Sequence, residues 1–227
     1  MPIHDRPSPN HGPRPEGTPI DMLVLHYTGM ETAAAALNRL CDPAAEVSAH
    51  YMIQEDGAIL QLVPEDRRAW HAGASFWRGH SDVNSRSIGI EIVNPGHEFG
   101  YRPFPEAQIA AVAALCGDLL SRHAIPARNV VGHSDVAPRR KQDPGELFPW
   151  QRLADAGIGL WPPALETDRS AAQAPDLLAE IGYETVDLAA TLSAFQRRYH
   201  PRQITGAPDA ETLARMVGLN HIMNREK

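Results

Sequence analysis

The chain has 227 residues, 43% of them hydrophobic, with 21 Lys and Arg against 28 Asp and Glu, a formal charge of −7. That hydrophobic share supports an ordinary buried core and the length allows one or two domains, while the acidic balance argues against a nucleic-acid backbone as the main partner. Cys41 and Cys116 stand far apart with no Cys-x-x-Cys spacing, which speaks against a disulfide framework or a thiolate metal site and predicts two reduced, buried thiols.

Residues 1–19 carry Pro2, Pro7, Pro9, Pro13, Pro15 and Pro19 where a secretory signal needs an unbroken apolar stretch, so an irregular surface arm and a cytoplasmic protein are expected, with a periplasmic or cell-wall location left open. No run approaches the ~18 apolar residues of a membrane span. Ile20 to Tyr27 has the length and composition of a buried strand, ended by Thr28 and Gly29. Thr32 to Cys41 reads as a helix closed by Asp42-Pro43, and Ser48 to Val63 as a hairpin around Glu55-Asp56-Gly57. Arg68 to Gly79 sets Trp70, His71, Phe76 and Trp77 among Gly and Ala and reads as an aromatic wall. Ser87 to Asn94 is an apolar strand with Glu91 in its middle; a carboxylate there is costly to bury, so its presence needs a reason.

Ile109, Val112, Leu115, Cys116 and Leu119 recur at helical spacing between Pro105 and His123, and Asn129 to Val131 is a brief strand. Alternating strands and helices that include a hairpin predict an α/β fold, a central mixed β-sheet flanked by helices. Residues 162–175 are rich in Pro, Ala and charge and read as a linker. Residues 176–227 carry three helical segments, Asp176 to Ile181, Leu188 to Tyr199 and Asp209 to Leu219, a small all-α module whose core is marginal alone and is expected to lean on residues 1–161.

The loop from Gly132 to Gly145 concentrates chemistry: His133, Asp135 and Asp143, with the cations Arg139, Arg140 and Lys141, on a segment that Pro138, Pro144 and two glycines keep from becoming a helix. Neutral imidazole and carboxylate are both first-choice Zn²⁺ ligands, and a catalytic zinc takes three protein ligands and leaves one position open. His133 and Asp143 supply two, and the third is sought at the end of a buried strand, where His26 stands.

His26-Tyr27-Thr28, Ser48-Ala49-His50-Tyr51, Ala69-Trp70-His71-Ala72-Gly73, Ser87-Ile88-Gly89-Ile90-Glu91, Gly132-His133-Ser134-Asp135 and Arg140-Lys141-Gln142-Asp143-Pro144-Gly145 resemble, in order over about residues 18 to 157, the type 2 family of zinc-dependent N-acetylmuramoyl-L-alanine amidases. The resemblance implies one Zn²⁺ held by His26, His133 and Asp143, with Glu91 as catalytic carboxylate, Lys141 as catalytic cation, and Trp70 and Arg140 lining the substrate cleft. His71 is expected to touch substrate or brace the wall, and His50 to stand behind the ligands as a donor or packed imidazole. The tail is similar to the small helical peptidoglycan-binding module, against the plainer reading of a helical cap.

The implied reaction is hydrolysis of the amide bond between N-acetylmuramic, or 1,6-anhydro-N-acetylmuramic, acid and L-alanine, with peptidoglycan fragments or the sacculus as partner. Two other readings are a non-catalytic recognition protein on the same fold and a zinc amidohydrolase with another acyl substrate.

Overall fold

A computed structural model describes residues 2–225. Eight strands are formed: β1 (Ile3–Asp5), β2 (His11–Pro13), β3 (Met22–Tyr27), β4 (Tyr51–Ile53), β5 (Ile59–Gln61), β6 (Arg67–Ala69), β7 (Ser87–Ile92) and β8 (Val130–Gly132), counted among the described residues. The helices are α1 (Ala33–Cys41), α2 (Val83–Arg86), α3 (Gly96–Phe99), α4 (Glu106–Arg122), α5 (His133–Val136), α6 (Trp150–Asp155), α7 (Ala174–Ile181), α8 (Leu188–Tyr199) and α9 (Ala210–Arg225).

Six strands make one sheet in the order β1-β5-β4-β7-β3-β8, mixed because only β4 and β5, the predicted hairpin, run antiparallel. β2 and β6 form a separate antiparallel pair. The N-terminal arm is therefore not irregular throughout, because β1 extends the sheet edge beside β5 and β2 lies on β6. Arg14 holds the segment after β2 down by donating to the carbonyls of Glu65, Asn84, Ser85 and Ser87.

Alternation along the parallel strands divides the core. Leu23 and Leu25 of β3, with Ile88, Ile90 and Ile92 of β7, face the stripe Ile109, Val112, Leu115, Cys116 and Leu119 of α4. Each such side chain contributes roughly 1.5–3 kcal/mol on burial, which holds a 17-residue helix flat on the sheet. On the opposite face Met22 and Val24 of β3 and Val131 of β8 share a cluster with Leu178, Leu192, Phe195, Met216 and Leu219 of α7, α8 and α9. Further along that face Met52 and Leu60 pack against Ala36 and Leu40 of α1, whose first turn is capped by Thr32 Oγ1 accepting from Ala35 N–H.

The helical tail shares this core with the sheet. Its last helix runs two turns beyond the predicted end, and within 162–175 Leu165 N–H donates to Ala214 O. Cys116 is buried, as expected; Cys41 is half-buried instead, at the end of α1. Among the described residues no helix is long and apolar enough to cross a membrane.

Candidate metal centre and catalytic cleft

His26 is the fifth residue of β3 and sits in register with Glu91, the fifth of β7, so both side chains leave the sheet on the face that Met22 and Val24 share. His133 follows β8 directly and opens α5, and Asp143 lies in the loop ten residues on. Ser134 N–H donates to Asp143 O at 2.9 Å, which ties that loop to the turn carrying His133.

These elements bring three donor atoms together. His26 Nδ1 lies 2.9 Å from His133 Nδ1 and 3.1 Å from Asp143 Oδ2, and His133 Nδ1 lies 3.0 Å from the same oxygen. The three residues are 1%, 4% and 5% exposed.

Hydrogen-bond partners determine where the imidazole protons are. His133 Nε2 faces Ala72 O at 3.2 Å; a carbonyl only accepts, so Nε2 carries the proton and Nδ1 is bare. Ser87 Oγ donates to Val83 O at 2.7 Å and so accepts from His71 Nε2–H at 3.1 Å. His71 Nδ1 is left to accept from His26 Nε2–H at 3.0 Å, which leaves His26 Nδ1 bare as well. Two proton-free imidazole nitrogens and a carboxylate oxygen thus face one another with nothing positive between them. That donor set fits a cation, and atoms spaced in this way can all lie about 2 Å from a common point, the distance zinc takes to N and O ligands.

Protonation follows the same environment. Burial, then the neighbouring His133, brings His26 down to about 4, which keeps it neutral. Burial alone would raise the Asp143 carboxyl, but His133 and then His26 hold it well below the usual carboxylate range. Glu91 is pushed well above that range by burial and by the charge of Asp143, against the opposing pull of Lys141. Its Oε2 is sealed from solvent and has no hydrogen-bond partner. Two carboxylates on one cleft are therefore driven in opposite directions, an arrangement typical of acid–base sites.

The cleft above these groups has a volume of about 620 Å³ and is lined by Met30, Arg39 and Leu40 of the α1 side, Trp70, and Arg140 and Lys141 of the loop. Trp70 is half-buried on its wall, held by a two-way bond between its backbone and Ser48. Lys141 is half-buried, and its charge reaches both His26 and Glu91. Arg140 lies on the rim, where its guanidinium donates to the carbonyls of Ala72 and Ala74.

Two further histidines pack behind the donors. His71 lines the cleft but is only 9% exposed, and both its nitrogens are engaged, by His26 and Ser87, so it braces a donor residue. His50 lies a layer behind the donors as a packed imidazole: its Nδ1 accepts from Gly89 N–H, its Nε2 donates to Arg67 O, and burial followed by the charge of Arg14 lowers it to about 3. Gly89 makes room for His71. A Cβ there would come within 2.4 Å of the His71 ring, so its absence lets that imidazole lie on the strand behind His26. Ser87, the Ala72 carbonyl and Arg39 went unnoticed in the sequence, since a serine, a carbonyl and a surface arginine carry no mark of their role there.

Comparison with known proteins agrees with the geometry. The family described as N-acetylmuramoyl-L-alanine amidase matches residues 16–146. The chain is 40% identical over 224 residues to the N-acetylmuramoyl-L-alanine amidase AmiD of Escherichia coli strain K12, covering 86% of this chain and 80% of AmiD. It is 36% identical over 164 residues to the 1,6-anhydro-N-acetylmuramyl-L-alanine amidase AmpD of Enterobacter cloacae, covering 65% of this chain and 86% of AmpD. The structure of E. coli AmiD in complex with the substrate anhydro-N-acetylmuramic acid-L-Ala-D-gamma-Glu-L-Lys superposes with a TM-score of 0.82 at 37% identity, over 96% of this chain and 93% of AmiD. AmpDh3 of Pseudomonas aeruginosa in complex with anhydromuramic pentapeptide does so with a TM-score of 0.79 at 34% identity, over 96% of each chain. The chain belongs to the N-acetylmuramoyl-L-alanine amidase family, the type 2 family that its motifs resemble.

Proposed function

We propose that this chain hydrolyses the amide bond between N-acetylmuramic or 1,6-anhydro-N-acetylmuramic acid and L-alanine, with one Zn²⁺ held by His26 Nδ1, His133 Nδ1 and Asp143 Oδ2. The observation that carries this reading is the convergence of three proton-free donors beside Glu91, which lines the cleft and whose Oε2 is sealed and unpartnered. The structures of AmiD and AmpDh3 with anhydromuramyl peptides support the substrate class.

Zinc at such a site supplies acidification of a water and Lewis-acid polarisation of the scissile carbonyl. Glu91 takes the proton of the attacking water and returns it to the departing alanine nitrogen. Its raised proton affinity suits a group that must hold a proton between the two events. Lys141 offers its charge to the oxygen that becomes negative as the carbonyl is attacked; losing one such donor costs on the order of 100-fold in rate. Trp70 presents a flat apolar surface to the sugar, and Arg140 steadies the rim on which the peptide lies.

In this reading residues 1–161 are the catalytic domain, 162–175 the connection, and 176–227 a peptidoglycan-binding-like module. The test is to incubate zinc-loaded protein with purified anhydromuropeptides and with intact sacculi and to identify the products by mass. Free peptide beginning at L-alanine is the expected product. A faster reaction with the soluble fragments fits recycling in the cytoplasm, and a faster reaction with sacculi fits work outside it. Zinc-loaded protein that releases no peptide from either substrate overturns the proposal.

A further inference from the structure

The helix that carries His133 is four residues long, too short to hold its own shape, and it is fixed from outside through Asp135. Asp135 is 0% exposed, and its carboxylate has three partners. Oδ2 accepts from Gly132 N–H at 2.7 Å and from Arg198 Nη1 at 2.6 Å, while Oδ1 accepts from Tyr183 O–H at 2.6 Å. Only the first lies within the turn; the other two come from the C-terminal helical region, 48 and 63 residues further along the chain.

Arg198 of α8 is itself 4% exposed. Its Nη2 donates to Val130 O in β8 at 2.9 Å, and its guanidinium lies over the Trp150 ring at 4.0 Å and the Tyr199 ring at 4.8 Å. Tyr183 is held edge-on against Trp77, with centroids 5.0 Å apart. Both groups therefore approach Asp135 from fixed directions, and a stacked guanidinium whose fork holds Asp135 Oδ2 and Val130 O at once is a geometry that lysine does not reproduce. His133 precedes Asp135 by two residues, and Asp143 hangs on the same turn through Ser134 N–H.

We infer that Arg198 and Tyr183 are positioning residues of the metal centre, so that the helical tail fixes the spacing of two of the three donor atoms. The inference rests on the zinc reading above. It assigns the tail a task independent of any glycan it binds. A buried pair of this kind is weak evidence of stability alone, because desolvating its charges offsets much of their attraction; setting a geometry is the better account of it.

The test measures Zn²⁺ affinity by chelator competition on the full chain, together with the visible d–d spectrum of the Co²⁺-substituted protein. Wild type is compared with Tyr183→Phe, which removes one hydroxyl, and Arg198→Lys, which keeps the charge and loses the fork. Leu192→Ala, in the core of the tail and making no hydrogen bond to Asp135, serves as the control for destabilisation alone. Both positioning variants are expected to bind zinc about 10–100-fold more weakly with an altered cobalt spectrum, while Leu192→Ala lowers the melting temperature and leaves affinity and spectrum unchanged. Wild-type affinity in Tyr183→Phe and Arg198→Lys, or an equal loss in Leu192→Ala, overturns the inference. Wild-type protein that takes up no zinc refutes the zinc reading itself, a separate and distinguishable result.

Discussion

One face of the sheet is roofed continuously by α4 with α6 beside it, and the other by two unrelated pieces of chain. Under α4 the isoleucines of β7 and the leucines of β3 form one closed apolar layer, and no carboxylate or imidazole of those two strands interrupts it. On the opposite face α1 covers Met52 and Leu60, the tail covers Met22, Val24 and Val131, and between the two covers lie His26, Gly89 and Glu91. The same two strands serve both faces, so strand composition alone does not distinguish them. A cleft exists where two covers fail to meet, and the polar groups of the sheet occur there because that gap lets them face something other than hydrocarbon.

The comparison breaks most sharply at Glu91. Glu91→Gln removes a largely desolvated carboxylate and keeps its shape, so turnover should fall about 10³-fold, roughly 4 kcal/mol on the barrier, while the unfolding midpoint stays level or rises. Steady-state kinetics beside thermal melts check this, and a variant keeping more than a tenth of its turnover shifts the proton transfer to another group. On the closed face Leu115→Ala should show the reverse, a loss of about 3 kcal/mol in denaturant unfolding with zinc content and turnover per folded molecule unchanged. Loosened zinc in that variant would mean the two faces are not independent.

The smallest effect concerns Glu65, which joins Tyr51 O–H, Arg122 at the end of α4 and His123. Burial opposes its ionisation, but these bonds, those of Arg122 first, bring it down to about 2 from an ordinary 4.5. Between those values the unfolded chain takes up a proton that the folded chain refuses. The contribution is therefore complete above pH 4.5 and disappears as pH falls through about 2. Glu65→Gln should cost on the order of 1–2 kcal/mol at pH 7 and approach wild type in stability as pH nears 2; a gap that does not change with pH would deny the carboxylate this role.

Much of the site was readable in the sequence because ligation and proton transfer depend on residue type. His26 at a strand end, Glu91 in an apolar strand, and His133 with Asp143 in a proline-broken loop are all unusual where they occur, and the structure brings them together. What escaped was set by partners far along the chain. Ile3-His4-Asp5 and His11-Gly12-Pro13 have no strand-like composition and become strands by pairing with β5 and β6. The placement of His71 depends on a missing methyl group at Gly89, which its imidazole does not reveal in isolation. Arg198 sits in a helix where an arginine is ordinarily solvated, and its burial is decided by Asp135.

In β3 the neighbours Leu25 and His26 point to opposite sides of the sheet, one into oil and one toward Asp143 and His133. Whether this strand contributes a ligand is thus a question of odd or even. Sliding β3 past β7 by a single residue would hand the imidazole to α4 and leave a leucine at the reacting centre, so the apolar teeth that lock the strand in place also act as the enzyme's aiming device.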